Sequence, residues 1–200
     1  MRVIAGSARR LQLKAPAGFE TRPTSDKTKE TLFNVLMPYV YDSVFLDLFS
    51  GSGGIGIEAL SRGAQRAIFV ERSKSAIKCI EENLKKTKLA DNAQVFSMDV
   101  MSALRQMEGR YKFDLVFMDP PFDRELEKEV LFYLQTSGLI HENTMIIVEA
   151  SNETDFDYVP KVIGMEIVKC KRYKSNSHLF IRKRQGEGGT NEVSDLSGQL

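Results

Sequence analysis

The sequence predicts an α/β fold with a mostly parallel, doubly wound sheet, and three features of the 200-residue chain predict it. Short apolar runs rich in β-branched and aromatic residues recur at residues 44–48, 67–70, 94–98, 113–118 and 145–148, the mark of buried strands. Stretches with helical periodicity separate them, at 55–61, 73–86, 100–107 and 126–135. Beyond Pro160 the alternation stops: two further runs, 162–171 and 178–183, are separated by a polar Ser-Asn-Ser turn and no helix. Strands regularly separated by helices require right-handed crossovers and a parallel sheet covered on both faces. The last two strands form an antiparallel pair at the end of the sheet. The expected architecture is a single Rossmann-like domain over residues 1–184.

The elements follow in order. Residues 1–20 fit a small basic strand or hairpin and, with the helix after them, form a basic extension over residues 1–40. Thr24 or Ser25 can cap that helix, which runs to about Met37, with Asp26 where the helix dipole favours an acid. Leu32, Phe33, Val35 and Leu36 give it an apolar face. In the helix at 73–86, Ile77, Ile80 and Leu84 share one face. Residues 185–200 are rich in glycine, serine and acids and read as a disordered polar tail.

Charge and cysteine content narrow the class. The net charge of +1 conceals a basic start (+4 over residues 1–40), an acidic middle (−7 over 41–160), a basic segment (+7 over 161–184) and an acidic tail (−3). Basic flanks of this kind read as phosphate-contacting surfaces, because phosphate neutralisation dominates nucleic-acid affinity. Cys79 and Cys170 are far apart and fit no CxxC or Cys/His spacing, which argues against a disulfide framework or zinc site. No run of apolar residues is long enough to span a membrane, and the N-terminal residues lack a secretory h-region. The expectation is a soluble cytoplasmic monomer without a metal.

A ligand site is expected at the first three strand ends. Asp47-Leu48-Phe49-Ser50-Gly51-Ser52-Gly53-Gly54-Ile55-Gly56 closes the first strand and opens the next helix, and Gly51, Gly53 and Gly56 have GxGxxG spacing. That spacing also serves dinucleotide folds and plain tight turns. Glu71, at the end of the second strand, is placed to accept from two ribose hydroxyls and would repel a 2′-phosphate. Asp99, past the third strand, is placed to accept from an adenine amino group; neighbouring Arg72 and Val100 complete the adenosine side of the set. Asp47, inside an apolar strand, is expensive to bury without a partner and suits an amino-acid ammonium or the loop's own N–H groups. A dinucleotide would need the helix N-terminus for its pyrophosphate. The acid at Asp47 favours S-adenosylmethionine instead, with Phe49, Gly51, Ser52 and Gly53 against it.

The reaction is argued from Asp119-Pro120-Pro121-Phe122, which follows the fourth strand at the end where α/β sheets bind ligands. A ring-bound amine is a poor nucleophile because its lone pair is delocalised. An Asp119 carboxylate and a Pro120 carbonyl that each accept one N–H would aim that lone pair at a sulfonium methyl. Two prolines lock the local φ angles, and Phe122 can stack on a base. Orientation would provide most of the rate. The product would be S-adenosylhomocysteine.

These strand-end residues, from Asp47 to Gly53 through Glu71 and Asp99 to Phe122, resemble the amino-methyltransferase superfamily. More narrowly, Val3-Ile4-Ala5-Gly6 with Arg9-Arg10-Leu11, and Arg22-Pro23-Thr24-Ser25-Asp26 with Glu30-Thr31-Leu32-Phe33-Asn34, resemble the ribosomal RNA small subunit methyltransferase D family, from residue 1 to about 184. The resemblance implies methylation of guanine N2 in 16S ribosomal RNA of the small subunit or its assembly intermediate. It also implies that Arg22 and Thr24 border the cofactor and substrate crevice, and that Arg9, Arg10 and Arg22 touch RNA. The chain departs from the family at Tyr173-Lys174-Ser175-Asn176-Ser177, where Tyr-Gly-Asn-Thr is usual, and at Lys29, where arginine is commoner.

Other functions explain less. A nicotinamide-dependent dehydrogenase would share the glycine loop and Glu71, but would leave Asp119 to Phe122 unused; His141 and His178 lie outside the motifs and read as surface or strand residues. A cytosine-C5 methyltransferase needs a nucleophilic cysteine, and neither cysteine has a suitable setting. DNA adenine or protein glutamine would satisfy the same amine chemistry. A non-catalytic RNA-binding module would explain only the basic flanks.

Overall fold

The computed structural model describes residues 1–16, 25–121 and 125–184. The elements are α1 (Asp26–Val40), β1 (Val44–Leu48), α2 (Gly54–Ser61), β2 (Arg66–Glu71), α3 (Lys74–Thr87), β3 (Ala93–Ser97), α4 (Val100–Met107), β4 (Phe113–Met118), α5 (Leu126–Thr136), β5 (Ile140–Ser151), β6 (Met165–Arg172) and β7 (Asn176–Lys183). Among the described residues one sheet carries seven strands in the order β3-β2-β1-β4-β5-β7-β6. The first five are parallel, and β7 lies antiparallel between β5 and β6. Strand order reverses between β1 and β4, and such a switch point opens a crevice beyond the carboxyl ends of the strands.

Alternation along the strands divides the core in two. Leu46, Leu48, Val116 and Met118 face α4 and α5, whereas Phe45, Leu115, Phe117 and Ile147 face α1, α2 and α3. Both layers are sealed from water. Ser25 is the residue that caps α1, its hydroxyl accepting from the Thr28 N–H at 3.1 Å.

The N-terminal segment is a short hairpin-like excursion rather than a sheet strand. Arg2 and Gln12 form an isolated antiparallel bridge, and Val3, Ala8 and Leu13 are buried against the body. Polar side chains fasten it. Glu58 accepts from Ile4 N–H at 2.8 Å and Ala5 N–H at 3.0 Å. Asn83 pairs with both Lys14 backbone groups and also donates to the Ser52 carbonyl at 3.0 Å, which ties the segment to the glycine loop.

Three elements differ from expectation. The fifth strand spans Ile140–Ser151 rather than 145–148, because a register shift between Phe113 and Leu115 lets the polar residues 141–144 bulge within it. Residues Val159–Ile163 form a π-helical turn instead of starting the next strand; Val159 and Ile163, four apart, are both buried, and Gly164 at φ +70° ends the turn. The final turn comes early, so Asn176 and Ser177 belong to β7. The tail over 185–200 lies outside the described residues. Among the described residues, no helix is long and apolar enough to cross a membrane, and no three His, Cys, Asp or Glu side chains are grouped to hold a metal ion.

Candidate active site

The crevice is built from the ends of β1, β2 and β4. Past β1 the chain bends sharply at Phe49, whose φ of +61° costs a non-glycine residue about 1–3 kcal/mol and is the kind of strain found at functional sites. Gly53 is left-handed at φ +76° just ahead of α2. A Cβ on Gly56 would fall 2.4 Å from the Phe69 ring, so a glycine here lets α2 lie close on β2. That approach brings the Gly56 N–H within 2.9 Å of the buried Asp47 carboxylate. One of the two kinds of partner open to Asp47 from sequence, the chain's own N–H groups, thus reaches it. Burial raises the Asp47 carboxyl pKa to about 7, the Gly56 hydrogen bond opposing and the charge of Glu71 adding.

Glu71 braces the rim. One oxygen accepts from the Gly51 N–H at 2.9 Å and the other from the N–H groups of Arg72 and Ser73 at 2.9 and 2.8 Å. A carboxylate offers about four acceptor positions, so these three leave room for another donor. Ser50, which sequence reading did not single out, donates to the Asp47 carbonyl and accepts from Val70 N–H, pinning the end of β1 to β2. Asp99 is exposed and caps α4 by accepting from Ser102 N–H at 2.9 Å. Those Ser102 hydrogen bonds hold its carboxyl below the ordinary range. Val100 is the buried first residue of α4. Ser52 and Gly51 are partly exposed, and a Cβ added to Gly51 would meet nothing within 4 Å, which leaves an open cradle beside the loop.

Asp119 follows β4 directly, with Pro120 buried and Pro121 exposed after it. The paired register Asp47↔Phe117, Ile147↔Phe117 and Ile147↔Phe180 forms an apolar row across the α1 side of the sheet, Asp47 excepted. One step nearer the crevice, the same face carries Asp119, then Glu149 paired with His178, then Lys171 paired with His178. Burial first, and then the charges of Glu149 and Asp47, push the Asp119 carboxyl well above the usual carboxylate range. Three acids thus converge where β1, β4 and β5 end. Strongly perturbed carboxylates in a cleft are the physical mark of a reactive site.

Glu149 and His178 are the residues that sequence reading missed. His178 is a strand residue, as one of its two readings had it, but it is fully buried and not at the surface. Its Nε2 lies 3.0 Å from Glu149 Oε2 and its Nδ1 3.2 Å from the Tyr173 hydroxyl, and Asn176 donates to the other Glu149 oxygen. The only signal in the sequence is an acid closing an apolar strand. By contrast, His141 pairs with Asp114 at 3.1 Å, near the start of β4.

Arg9 and Arg10 are exposed and belong to the turn that leans on the last residue of α2, where Ser7 N–H and Ala8 N–H bond Ser61. The eight residues of α2 separate them from the glycine loop by about 12 Å along the helix axis, so they flank the crevice rather than line it. A groove of about 620 Å³ between α1 and the β6–β7 pair gathers Lys169, Lys171 and Arg182, with the Arg182 guanidinium 5.3 Å from the Tyr39 ring centre. Arg22, Thr24 and Phe122 lie outside the described residues.

Strand order, the glycine turn and the acids at successive strand ends define a protein of the Rossmann-like methyltransferase fold class. The family model described as Conserved hypothetical protein 95 matches residues 1–182. Ribosomal RNA small subunit methyltransferase D of Escherichia coli is 38% identical over 187 residues, covering 94% of this chain and 92% of its own. YlbH of Bacillus subtilis, named as a candidate rRNA methyltransferase, is 39% identical over 187 residues, covering 93% of this chain and 100% of its own. The solved structure of yhhF from Escherichia coli, described as a candidate methyltransferase, superposes with a TM-score of 0.80 at 35% identity, covering 92% of this chain and 99% of that one. The chain belongs to the ribosomal RNA small subunit methyltransferase D family.

Proposed function

We propose that this protein transfers the methyl group of S-adenosylmethionine to the exocyclic N2 amine of a guanine in 16S ribosomal RNA. The observation that carries the reading is Asp119-Pro120 at the end of β4, on the floor of the crevice whose rim holds Glu71 and Asp99. The residues present fit the cofactor. Glu71 keeps one acceptor position for a ribose hydroxyl, Asp99 stands exposed at the next strand end, and the space beside Gly51 is open. When bound, the cofactor supplies an electrophilic methyl group on a cationic sulfur.

The chain's own residues then do the orienting. Asp119 and the Pro120 carbonyl each accept one amine N–H, which holds the nitrogen lone pair in line with the methyl carbon. Pro120 and Pro121 fix the backbone that presents that carbonyl. Asp47, bonded to Gly56, holds the loop and α2 in register with the crevice. Phe122 stacks on the target base in this reading, and Thr24 and Arg22 border the same crevice. The approach of a cation favours the ionised form of Asp119 over the protonated form that burial and its acidic neighbours promote.

RNA as the substrate is supported by the two basic surfaces and by the names of the relatives. Arg9 and Arg10 project on one side, and Lys169, Lys171 and Arg182 line the groove on another. Each phosphate neutralised releases counterions and adds salt-dependent affinity without base specificity. Residues 1–184 act as one unit in this reading, because the N-terminal segment is bonded to the glycine loop through Asn83.

The test is labelled-methyl transfer to small subunits that lack the modification, followed by nucleoside analysis. Label in N2-methylguanosine is the expected result. Label in N6-methyladenosine or in protein would transfer the same amine chemistry to another substrate and overturn the guanine reading.

A further inference from the structure

Glu149 is 6% exposed and His178 is sealed from solvent, yet neither is needed to close the core: both stand on the polar row one step beyond the apolar layer. Their hydrogen bonds form a directed chain. Asn176 presents an amide N–H to Glu149 Oε1, and His178 Nε2 reaches Glu149 Oε2 at 3.0 Å. With an N–H on Nε2, His178 leaves Nδ1 as an acceptor for the Tyr173 O–H at 3.2 Å. Burial raises the Tyr173 hydroxyl to about 12, with the charge of Glu149 adding, which keeps it a donor. The Tyr173 and His178 rings also pack edge to face at 5.0 Å, as do Phe117 and His178 at 6.2 Å, so the imidazole is locked in place. Both Glu149 oxygens therefore face donors, which fixes the carboxyl group in place.

We propose that His178, fixed by Tyr173, is a positioning residue of the methyl-transfer site: it orients Glu149 beside Asp119, and the charge of Glu149 makes Asp119 the acceptor of the proton the amine gives up. The proposal rests on the methyltransferase reading above. It also assigns work to the Tyr173 to Ser177 segment, whose departure from the family pattern keeps a tyrosine and an asparagine that both act on this chain of bonds.

In the transfer step, the amine lone pair forms the N–C bond while the pair of the breaking C–S bond stays on sulfur. The nitrogen, now cationic, loses one N–H proton to an Asp119 oxygen, and the electron pair of that N–H bond returns to nitrogen. Asp119 later releases the proton to water. Glu149 from β5 and Asp47 from β1 are the charged groups that act on Asp119. Lys171 from β6 is paired with His178 in register, and α1 contributes Thr31, Asn34 and Tyr39 as polar neighbours of the adjoining groove. A base works best when its proton affinity approaches the working pH, and the carboxylate at Glu149 moves Asp119 in that direction.

Four full-length variants test this: Glu149→Gln, His178→Gln, His178→Leu and Tyr173→Phe. Wild-type label incorporation into RNA checks the underlying reading; the proposal is judged on variants against wild type. In Glu149→Gln the acid limb of the kcat profile should move to lower pH by about one unit and the plateau should fall, while the KM for small subunits holds. His178→Gln, which still offers an N–H to Glu149, should retain more of kcat than His178→Leu. Tyr173→Phe removes one half-buried hydroxyl and should fall between them, with an unaltered melting temperature. Independently of activity, nitrogen-15 spectra of the ligand-free protein should show the His178 ring protonated at Nε2. Profiles of Glu149→Gln and His178→Leu that superimpose on wild type, losses confined to KM, or a ring protonated at Nδ1 alone would each overturn the proposal.

Discussion

Two groups of buried charges lie on the α1 side of the sheet, and they are built on opposite rules. In the first, Glu58 is sealed from solvent and receives four donors: Ile4 N–H at 2.8 Å, Ala5 N–H at 3.0 Å, Arg62 Nε at 2.8 Å and Lys29 Nζ at 3.2 Å. Lys29 is equally buried and also donates to the Arg2 carbonyl. Each charge there has an opposite charge beside it, the condition under which a buried ion pair is tolerated, although burial still lowers the pKa of Lys29 against the opposing pull of Glu58. In the second, buried Asp47 and Glu149 and half-buried Asp119 bring three acids to one place, and no buried Lys or Arg among the described residues pairs with them. The first group fastens the N-terminal segment to α1 and α2; the second, in the function proposed above, is the one a cationic ligand would relieve. Burial of a charge therefore does not mark function. Burial without compensation does.

The comparison can be broken most forcefully at Glu58. Glu58→Ala leaves Lys29 buried and unpaired and strips two backbone N–H groups of their acceptor, so urea denaturation should show a loss of about 3–5 kcal/mol. At temperatures where the variant is still folded, methyl transfer should stay near wild type. A stability change within about 0.5 kcal/mol, the range of ordinary surface substitutions, would mean that the cluster fastens nothing.

Asp47 sharpens the contrast through pH. Its carboxyl group takes up a proton near pH 7 in the folded protein and near its ordinary value of 3.8 when unfolded. Between those values the folded state binds more protons, so Asp47 makes stability fall as pH rises from about 4 to about 7, and that loss persists above. Asp47→Asn keeps an acceptor for Gly56 N–H and removes the slope. The variant should gain on wild type by up to about 1.4 kcal/mol per pH unit through this window, read from chemical denaturation at a series of pH values. Parallel curves for the two proteins would place the charge elsewhere.

Exposed charge should matter least to the fold and only to binding. Replacing Arg9 and Arg10 with alanine should leave stability within about 0.5 kcal/mol and lower the slope of log K against log salt by about 1 for each phosphate no longer neutralised. An unchanged slope would remove these arginines from the RNA surface.

The same contrast explains what the sequence makes legible. β1, β4 and α4 are legible with the boundaries they have, because apolar runs such as Phe113-Asp114-Leu115-Val116-Phe117-Met118 stop at residues that cannot continue them. Asp47, Glu71, Asp99 and Asp119 are legible because each ends or interrupts such a run at a strand end, where α/β folds bind ligands. β5 reads as too short because a bulge hides its polar half, and Val162 and Ile163 pass for the start of β6 because β-branched residues favour strands, although they close the turn at Val159–Ile163. Glu149, His178 and Tyr173 are not legible as a unit. Only the antiparallel entry of β7 beside β5 makes residues 149 and 178 neighbours, and no local spacing announces that pairing. Lys29 is noticed only as a departure from the family pattern; its pairing with Glu58 is hidden because no local spacing joins α1 to α2.

The central claim is that Asp119 handles the substrate amine, and one measurement addresses it directly: methyl transfer to small subunits by Asp119→Ala beside calorimetric titration of S-adenosylmethionine into the same variant. Transfer should fall by at least about 100-fold, in the range of a positioned catalytic side chain, while cofactor affinity stays close to wild type and thermal stability holds or rises as an uncompensated acid is removed. Transfer at the wild-type rate, or a loss matched by equal loss of cofactor binding, would contradict it.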